Sequence, residues 1–549
     1  MNRLNTKLTL GIAGSLSLLS CTQNTEEKTL PNVIVILADD MGYSDIGCFG
    51  SEISTPNIDS LAREGMIFTR FTNAGRCCPS RASLLTGLYP HQAGMAAMAD
   101  VHYNTHEYQG YLSDKAVTIA EMLKLKGYHT YFSGKWHVGD KAPHIPSMRG
   151  FDRSFAFLNG ATSYYTIKPY RDSSWLNITG SIKLTMLYDG KPYTPPAEGY
   201  YTTDAFTDKA ISFINSGRDS GQPFFLYLAY NAPHWPLHAP EENINKYEGK
   251  YDIGWDATKA ARFERQKELG IIPGDAVLAP RLKGVPPWDS LSPEKKARYS
   301  RKMSVFAAMI DRLDWNIGRL VQRLREEGQL DNTMIIFLSD NGGDRSDEIP
   351  FTNHLDKSGP VGSPRSFTGY GSGWANVSNT PFRERKAEMF FGGTATPLIV
   401  HYPGMVKPGS SSEFRGNIID LMPTILDVAG LKYPNEYNGN TIPSLPGESL
   451  VPVFEKKKKE RQNPVYFEHF GGRALIDGDW KIVSFTRKPF ELHNIKSDLT
   501  EMKDLNDSNP EKLQDMSDRY QNWSDSIGVI PVDELKSHKL EPWAKDKDK

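Results

Sequence analysis

Unbroken apolar runs separated by polar, glycine-bearing loops set the texture of this chain. Val33–Ala38 (in PNVIVILADD), Phe224–Tyr230, Met334–Ser339 (in TMIIFLSDNGG) and Pro397–His401 are each too short for a helix. Their lack of alternation predicts strands buried on both faces. Between them the apolar period changes to that of a helix. Thr55 can cap, Pro56 can start and Gly65 can end one helix, and Val117–Lys126 reads as another. Lys302–Glu327 carries Phe306, Met309, Ile310, Leu313, Ile317, Leu320 and Leu324 at helical spacing, a packing stripe, and Leu421–Ala429 closes the series. Strands alternating with helices predict a mostly parallel sheet covered on both faces. From about Arg461 the texture changes to VYFEHF, RALIDGDWKIVSF and FELHNI, short antiparallel strands joined by turns, then a polar helix over Asn509–Ser524. A large α/β domain over 31–455 and a smaller α+β domain over 456–549 are expected.

Charge and the N-terminus narrow the setting. Across 549 residues, 64 basic groups meet 66 acidic ones, for a net charge of −2, so nothing suggests a nucleic-acid surface. The KKKK run at Lys456–Lys459 is most simply a solvated loop or domain junction. No internal repeat stands out. Arg3 and Lys7 precede an apolar stretch, Leu8–Leu19, too short for a membrane span and ending in LLSC. That ending resembles a bacterial lipobox. Residues 1–30 are therefore expected to be a lipoprotein signal peptide and tether, with Cys21 lipidated and the protein held in the cell envelope at the periplasm or outer membrane. An ordinary cleaved signal, giving a secreted periplasmic protein, is the alternative.

Candidate chemistry lies in the loops that follow the strands. CCPSRASLLTG, Cys77–Gly87, sets a cysteine ahead of Pro-Ser-Arg and a short apolar helix. Pro79 can take the first helical position, and free amides at a helix N-terminus favour an anion. Arg81 would sit beside Cys77. Tandem cysteines alone would also suit an oxidised pair, a metal fragment or inert core. In GYHTYFSGKWH, strand alternation puts Lys135 and His137 on one face. Asp39 with Asp40, and Asp340 with Asn341, end two buried strands at the edge where parallel sheets bind ligands. Three carboxylates and an amide oxygen there suit Ca²⁺ or Mg²⁺, although Asp and Asn also serve as plain turn residues.

Taken together these runs resemble the type I, formylglycine-dependent sulfatases, and bacterial arylsulfatases in particular, over nearly everything after residue 30. The resemblance implies an alkaline-phosphatase-like sheet between helices, with an antiparallel C-terminal subdomain. It implies that a maturation enzyme oxidises Cys77 to formylglycine, whose hydrate attacks a sulfate monoester. It assigns Asp39, Asp40, Cys77, Asp340 and Asn341 to one calcium. Lys135, Arg81 and Lys386 would hold sulfate, His234 in NAPHWPLHAP would protonate the leaving oxygen, and His137 would assist at residue 77. His238 is a plausible decoy. Lys386 is selected by its distance to Gly392-Gly393, where Phe391 stands in place of the family's usual glutamate. His469 and Arg473, in EHFGGRALIDG, are candidates for leaving-group recognition. The insert Gly254–Pro273 is expected at the substrate mouth. With Cys21 and Cys77 assigned, Cys48 and Cys78 read as buried free thiols. The expected substrate is an aryl sulfate or sulfated glycan. A phosphonate monoester or phosphodiester hydrolase, or a non-catalytic sulfated-glycan-binding surface lipoprotein, are the alternatives.

Overall fold

The computed structural model describes residues 29–99, 101–165, 186–196, 198–349 and 358–539. All but the last two residues of the expected leader, Cys21 among them, lie outside the described residues. No helix among the described residues is long and apolar enough to cross a membrane. The described residues from Pro31 onward form one compact unit.

Among the described residues the main sheet has ten strands: β1 (Asn32–Ala38), β2 (Met66–Phe68), β3 (His129–Lys135), β4 (Arg153–Phe157), β5 (Met186–Tyr188), β6 (Lys191–Pro192), β7 (Phe224–Ala229), β8 (Thr333–Ser339), β9 (Leu398–His401) and β10 (Ser410–Ser412). They lie in the order β10-β2-β9-β8-β1-β7-β3-β4-β5-β6. Its centre, β8-β1-β7-β3-β4, is parallel. Every residue of β1 and β8 is buried, as expected of runs covered on both faces. β9 runs antiparallel to both β8 and β2, so the sheet is mixed towards that edge.

Two helical layers cover it. Helices Pro56–Glu64, Thr202–Gly217 and Pro293–Glu326 pack together in one, and Cys77–Thr86, Ile119–Lys124 and Leu421–Val428 in the other. The long helix starts nine residues before the apolar stripe, because Ser292 accepts a hydrogen bond from the Lys295 amide and Pro293 fits its first turn. Its first residues are charged and exposed, so hydrophobic period gave no sign of them. The expected Val117–Lys126 helix is shorter, held at Thr118 by a reciprocal cap with Glu121.

After the small hairpin β11 (Glu436–Tyr437) and β12 (Asn440–Thr441) come β13 (Val465–His469), β14 (Gly472–Asp477), β15 (Trp480–Ser484) and β16 (Glu491–Asn494), an antiparallel meander. One face, with Phe467, Ala474 and Val483, joins the main core, and the other packs Leu475, Ile482 and Leu492 on helix Pro510–Ser526 through Met516 and Tyr520.

The helix Gly254–Glu268 within the insert braces the loop after β1. Arg262, 1% exposed, pairs with Asp45 at 2.6 Å and Glu52 at 2.8 Å. Gln266 donates to the carbonyls of Phe49 and Thr380. Breaking a buried pair leaves an uncompensated charge, so Arg262→Ala is expected to lower stability by about 3–5 kcal/mol in chemical denaturation. A loss under about 1 kcal/mol would show that the helix does not pin this loop.

Candidate active site

Two adjacent strand ends create the site. Ala38 and Ser339 are register partners at the ends of β1 and β8, which places Asp39-Asp40 beside Asp340-Asn341. Asp40 takes a positive φ of 63°, and its amide donates to Asp340 Oδ1 at 3.2 Å. Asn341 Nδ2 donates to Asp40 Oδ1 at 2.7 Å. Lys135, the last residue of β3, reaches past β7 to Asp39 Oδ2 at 2.6 Å. Lys386 Nζ lies 2.5 Å from Asp40 Oδ1 and 3.3 Å from Asp344 Oδ2. Its loop is tied by backbone bonds, Lys386 N to Gly343 O and Ala387 N to Gly75 O. Asp344 escaped the sequence reading, although it stands only three residues beyond Asn341.

Cys77 occupies the first helical position of Cys77–Thr86, and Pro79 the third. That corrects the expected placement of Pro79, and the reason is simple: the amides of the first turn are free at all these positions, so proline is tolerated there as well. Burial pushes the Cys77 thiol up to about 12, against the pull of Lys135 and Lys386. As a cysteine it is therefore protonated near neutrality and a poor nucleophile. Arg81, fully buried, sends Nε and Nη2 to Asp340 Oδ2 at 3.0 and 2.8 Å and Nη1 to the Lys135 carbonyl at 2.7 Å.

His137 arrives by a different route from the one alternation implies. β3 ends at Lys135, Trp136 is fully buried, and His137 turns back with a positive φ of 55°. Its ring lies against Gly160, where an added Cβ would sit 2.7 Å from the imidazole, so a larger residue there would displace the ring. His234 Nε2 is 3.5 Å from Asp40 Oδ2, while Nδ1 is held by the Trp235 carbonyl at 2.6 Å. Burial pushes its imidazole down to about 3. His238 is buried with Nε2 on the Ser366 carbonyl at 2.6 Å and does not join this group.

Cys77, His137, His234, Asp344 and Lys386 line a cleft of roughly 540 Å³, together with Arg76, Trp235 and Arg385. No residue of the insert Gly254–Pro273 lines it. His469 and Arg473 do not line it either. His469 is buried with Nδ1 facing the Ala96 carbonyl at 3.1 Å. Strand alternation turns Arg473 to the helix-covered side of the meander, where it sits 4.4 Å over Phe490 and donates to Ser484. At Phe391 the backbone amide donates to Glu501 Oε2, and Glu501 pairs with buried Lys481 at 2.6 Å, so the C-terminal region anchors this segment.

Asp39, Asp40, Cys77 and His234 bring ligand atoms within 4.8 Å of one another. Asp39 Oδ1, Asp40 Oδ2 and Asn341 Oδ1 are buried without a hydrogen-bond partner. Orphaned buried acceptors are costly, and three hard oxygens at one point are what a calcium ion takes up. Burial first and the neighbouring Asp39 charge second raise Asp340 to about 7.

The sequence model described as Sulfatase matches residues 31–431, and that described as N-sulphoglucosamine sulphohydrolase, C-terminal, matches residues 385–522. The chain belongs to the sulfatase family. An uncharacterized sulfatase of Schizosaccharomyces pombe is 34% identical over 92% of this chain and 95% of that protein. The arylsulfatase of Klebsiella aerogenes is 36% identical over 79% of this chain and 94% of that one. Among solved structures, Ps i-CgsB in complex with k-i-k-neocarrahexaose superposes with a TM-score of 0.67 at 28% identity, covering 90% of this chain and 93% of that one. This sulfatase is thus a formylglycine-dependent sulfuric ester hydrolase of alkaline-phosphatase-like fold, and its buried Asp39, Asp40, Cys77 and His234 match the calcium site of the family. A ligand that binds only the folded state stabilises it by roughly 2.7 kcal/mol at about 100 times its dissociation constant. Added Ca²⁺ is therefore expected to raise the melting temperature of this sulfatase, and the rise to shrink in Asn341→Ala and vanish in Asp40→Ala. An equal rise in all three proteins would place the ion elsewhere.

Proposed function

We propose that this sulfatase hydrolyses sulfate monoesters of saccharides, with residue 77 as nucleophile, in an exported protein tethered through Cys21. The observation that carries the reading is Cys77 at a helix N-terminus, lining a cleft with Lys386, His137 and His234, while buried Asp39, Asp40 and Asn341 each keep an oxygen without a hydrogen-bond partner. The cleft has room for a sugar, and the related Ps i-CgsB was solved with a hexasaccharide. The lipobox-like LLSC and the polar run after it support the tether.

Formylglycine at position 77 would supply a hydrated aldehyde, one hydroxyl as nucleophile towards sulfur and the other to expel sulfate as the carbonyl re-forms. Calcium would be held by Asp39, Asp40, Asp340, Asn341 and residue 77 and would supply fixed positive charge for a sulfate oxygen. Lys135 and Lys386, both buried, take the other sulfate oxygens in a low-dielectric site where charge stabilisation is strongest. Arg81 acts through its neighbours, fixing Asp340 and the end of β3. His234 presents Nε2 to the ester oxygen, with its ring held at Nδ1. The negative charge of a bound sulfate ester favours its protonated form, which then donates to the leaving alcohol. His137 Nδ1 has no hydrogen-bond partner and accepts the proton released from the hydroxyl at residue 77. Two lysines with a single metal site favour sulfate over phosphonate. Maturation requires an enzyme that oxidises Cys77.

The test pairs peptide mass spectrometry at residue 77 with turnover of a chromogenic aryl sulfate and of sulfated monosaccharides. An aldehyde at residue 77 is expected, with a loss of at least ~10³-fold in kcat/KM for Cys77→Ala. Lys135→Ala and Lys386→Ala are each expected to cost about 10²–10³ in kcat. Undiminished hydrolysis by Cys77→Ala, or faster turnover of a phosphonate monoester, would contradict the proposal.

A further inference from the structure

Arg76, immediately before the nucleophile position, breaks a local rule. It is the N-cap of the helix Cys77–Thr86, extended at φ −152° and ψ 150°, and it makes no side-chain cap. Ser, Thr, Asp or Asn normally fills that place, and the positive end of a helix opposes a cation there. The side chain is part-buried and lines the cleft, and its buried Nε has no hydrogen-bond partner. It forms no ion pair among the described residues, unlike Arg70 and Arg81 on either side in sequence.

The surroundings explain why nothing among the described residues neutralises it. Two of the cleft's carboxylates lie beside other cations: Asp344 pairs with Lys386, and Glu388 lies in the field of Arg385 and Arg345. Asp140 also lines the cleft and does not pair with Arg76. The nearby His469 is neutral and cannot answer the guanidinium, because burial first and the Arg76 charge second push its imidazole down to about 3. An arginine at a helix start, on the lining of a cleft and with a desolvated donor left unpartnered, is the kind of violation found where a ligand compensates. Guanidinium geometry selects a planar or tetrahedral oxyanion, held by charge-assisted hydrogen bonds.

We propose that Arg76 forms a second anion subsite beside the scissile sulfate, so that preferred substrates are saccharides with a further sulfate or carboxylate on the same sugar or its neighbour. The reach follows from the chain itself: the Cα atoms of Arg76 and Cys77 are about 3.8 Å apart, and the side chain spans no more than one sugar ring. This inference rests on the sulfatase reading above and names the substrate class of that site.

The experiment compares kcat/KM for three saccharides that share the scissile ester: one with no other anion, one with a second sulfate, and one with a carboxylate. Wild-type protein, Arg76→Gln and Arg76→Lys are measured, with rates normalised to the fraction of residue 77 converted to aldehyde. Wild type is expected to prefer one dianionic substrate, and the identity of that substrate tells sulfate from carboxylate. In Arg76→Gln that preference should fall by roughly 10- to 100-fold, chiefly through KM, with part recovered in Arg76→Lys. Absence of a preference in wild type, retention of it in Arg76→Gln, or an equal loss on all three saccharides would overturn the proposal. Failure of the sulfatase reading itself looks different, since wild type would then hydrolyse none of them.

Discussion

Burying like charge at the end of a sheet is the constraint on which the rest depends. Asp39, Asp40 and Asp340 stand side by side at no more than 2% exposure, fixed there by the parallel pairing of β1 with β8. Charges so placed lose their hydration and repel one another, and only partners of opposite sign make the arrangement tolerable. Arg81 answers Asp340, Lys135 answers Asp39 and Lys386 answers Asp40. Oxygens are still left over. The orphaned acceptors describe a site built around one more cation.

The scaffold turns that need into a directed cleft. β3 ends in a lysine because its last residue faces the carboxylates, and the chain then reverses at His137 against Gly160. Backbone bonds from the Lys386 loop to residues 343 and 75 lock the second lysine to the helix that carries Cys77. Since Arg81 binds both Asp340 and the Lys135 carbonyl, the sheet edge and the nucleophile helix move as one body. Rigid placement of this kind suits a reaction whose acceleration comes from preorganised charge.

Much of this was legible in the sequence because it is periodic or local. The apolar runs gave β1, β7, β8 and β9 to within about a residue, and the Asp-Asp and Asp-Asn pairs at two strand ends pointed to their shared edge. Features set by tertiary contact were not legible. Alternation placed His137 correctly near Lys135 but for the wrong reason, because the strand ends two residues before it. The insert carries charged residues that look like a solvent-facing surface, yet Arg262 is buried to hold the loop after β1. Arg473 was a matter of strand parity, which the FGG turn before it obscures. Arg76 gave only one clue, a basic residue where a helix cap belongs, and its meaning depends on neighbours distant in sequence.

The most direct test of the account is a crystal structure of the matured protein grown with Ca²⁺. A cation contacted by Asp39 Oδ1, Asp40 Oδ2 and Asn341 Oδ1, facing residue 77, with Lys135 and Lys386 turned towards the cleft, is the expected result. Density without an ion there, and with both lysines still seated on Asp39 and Asp40, would contradict it.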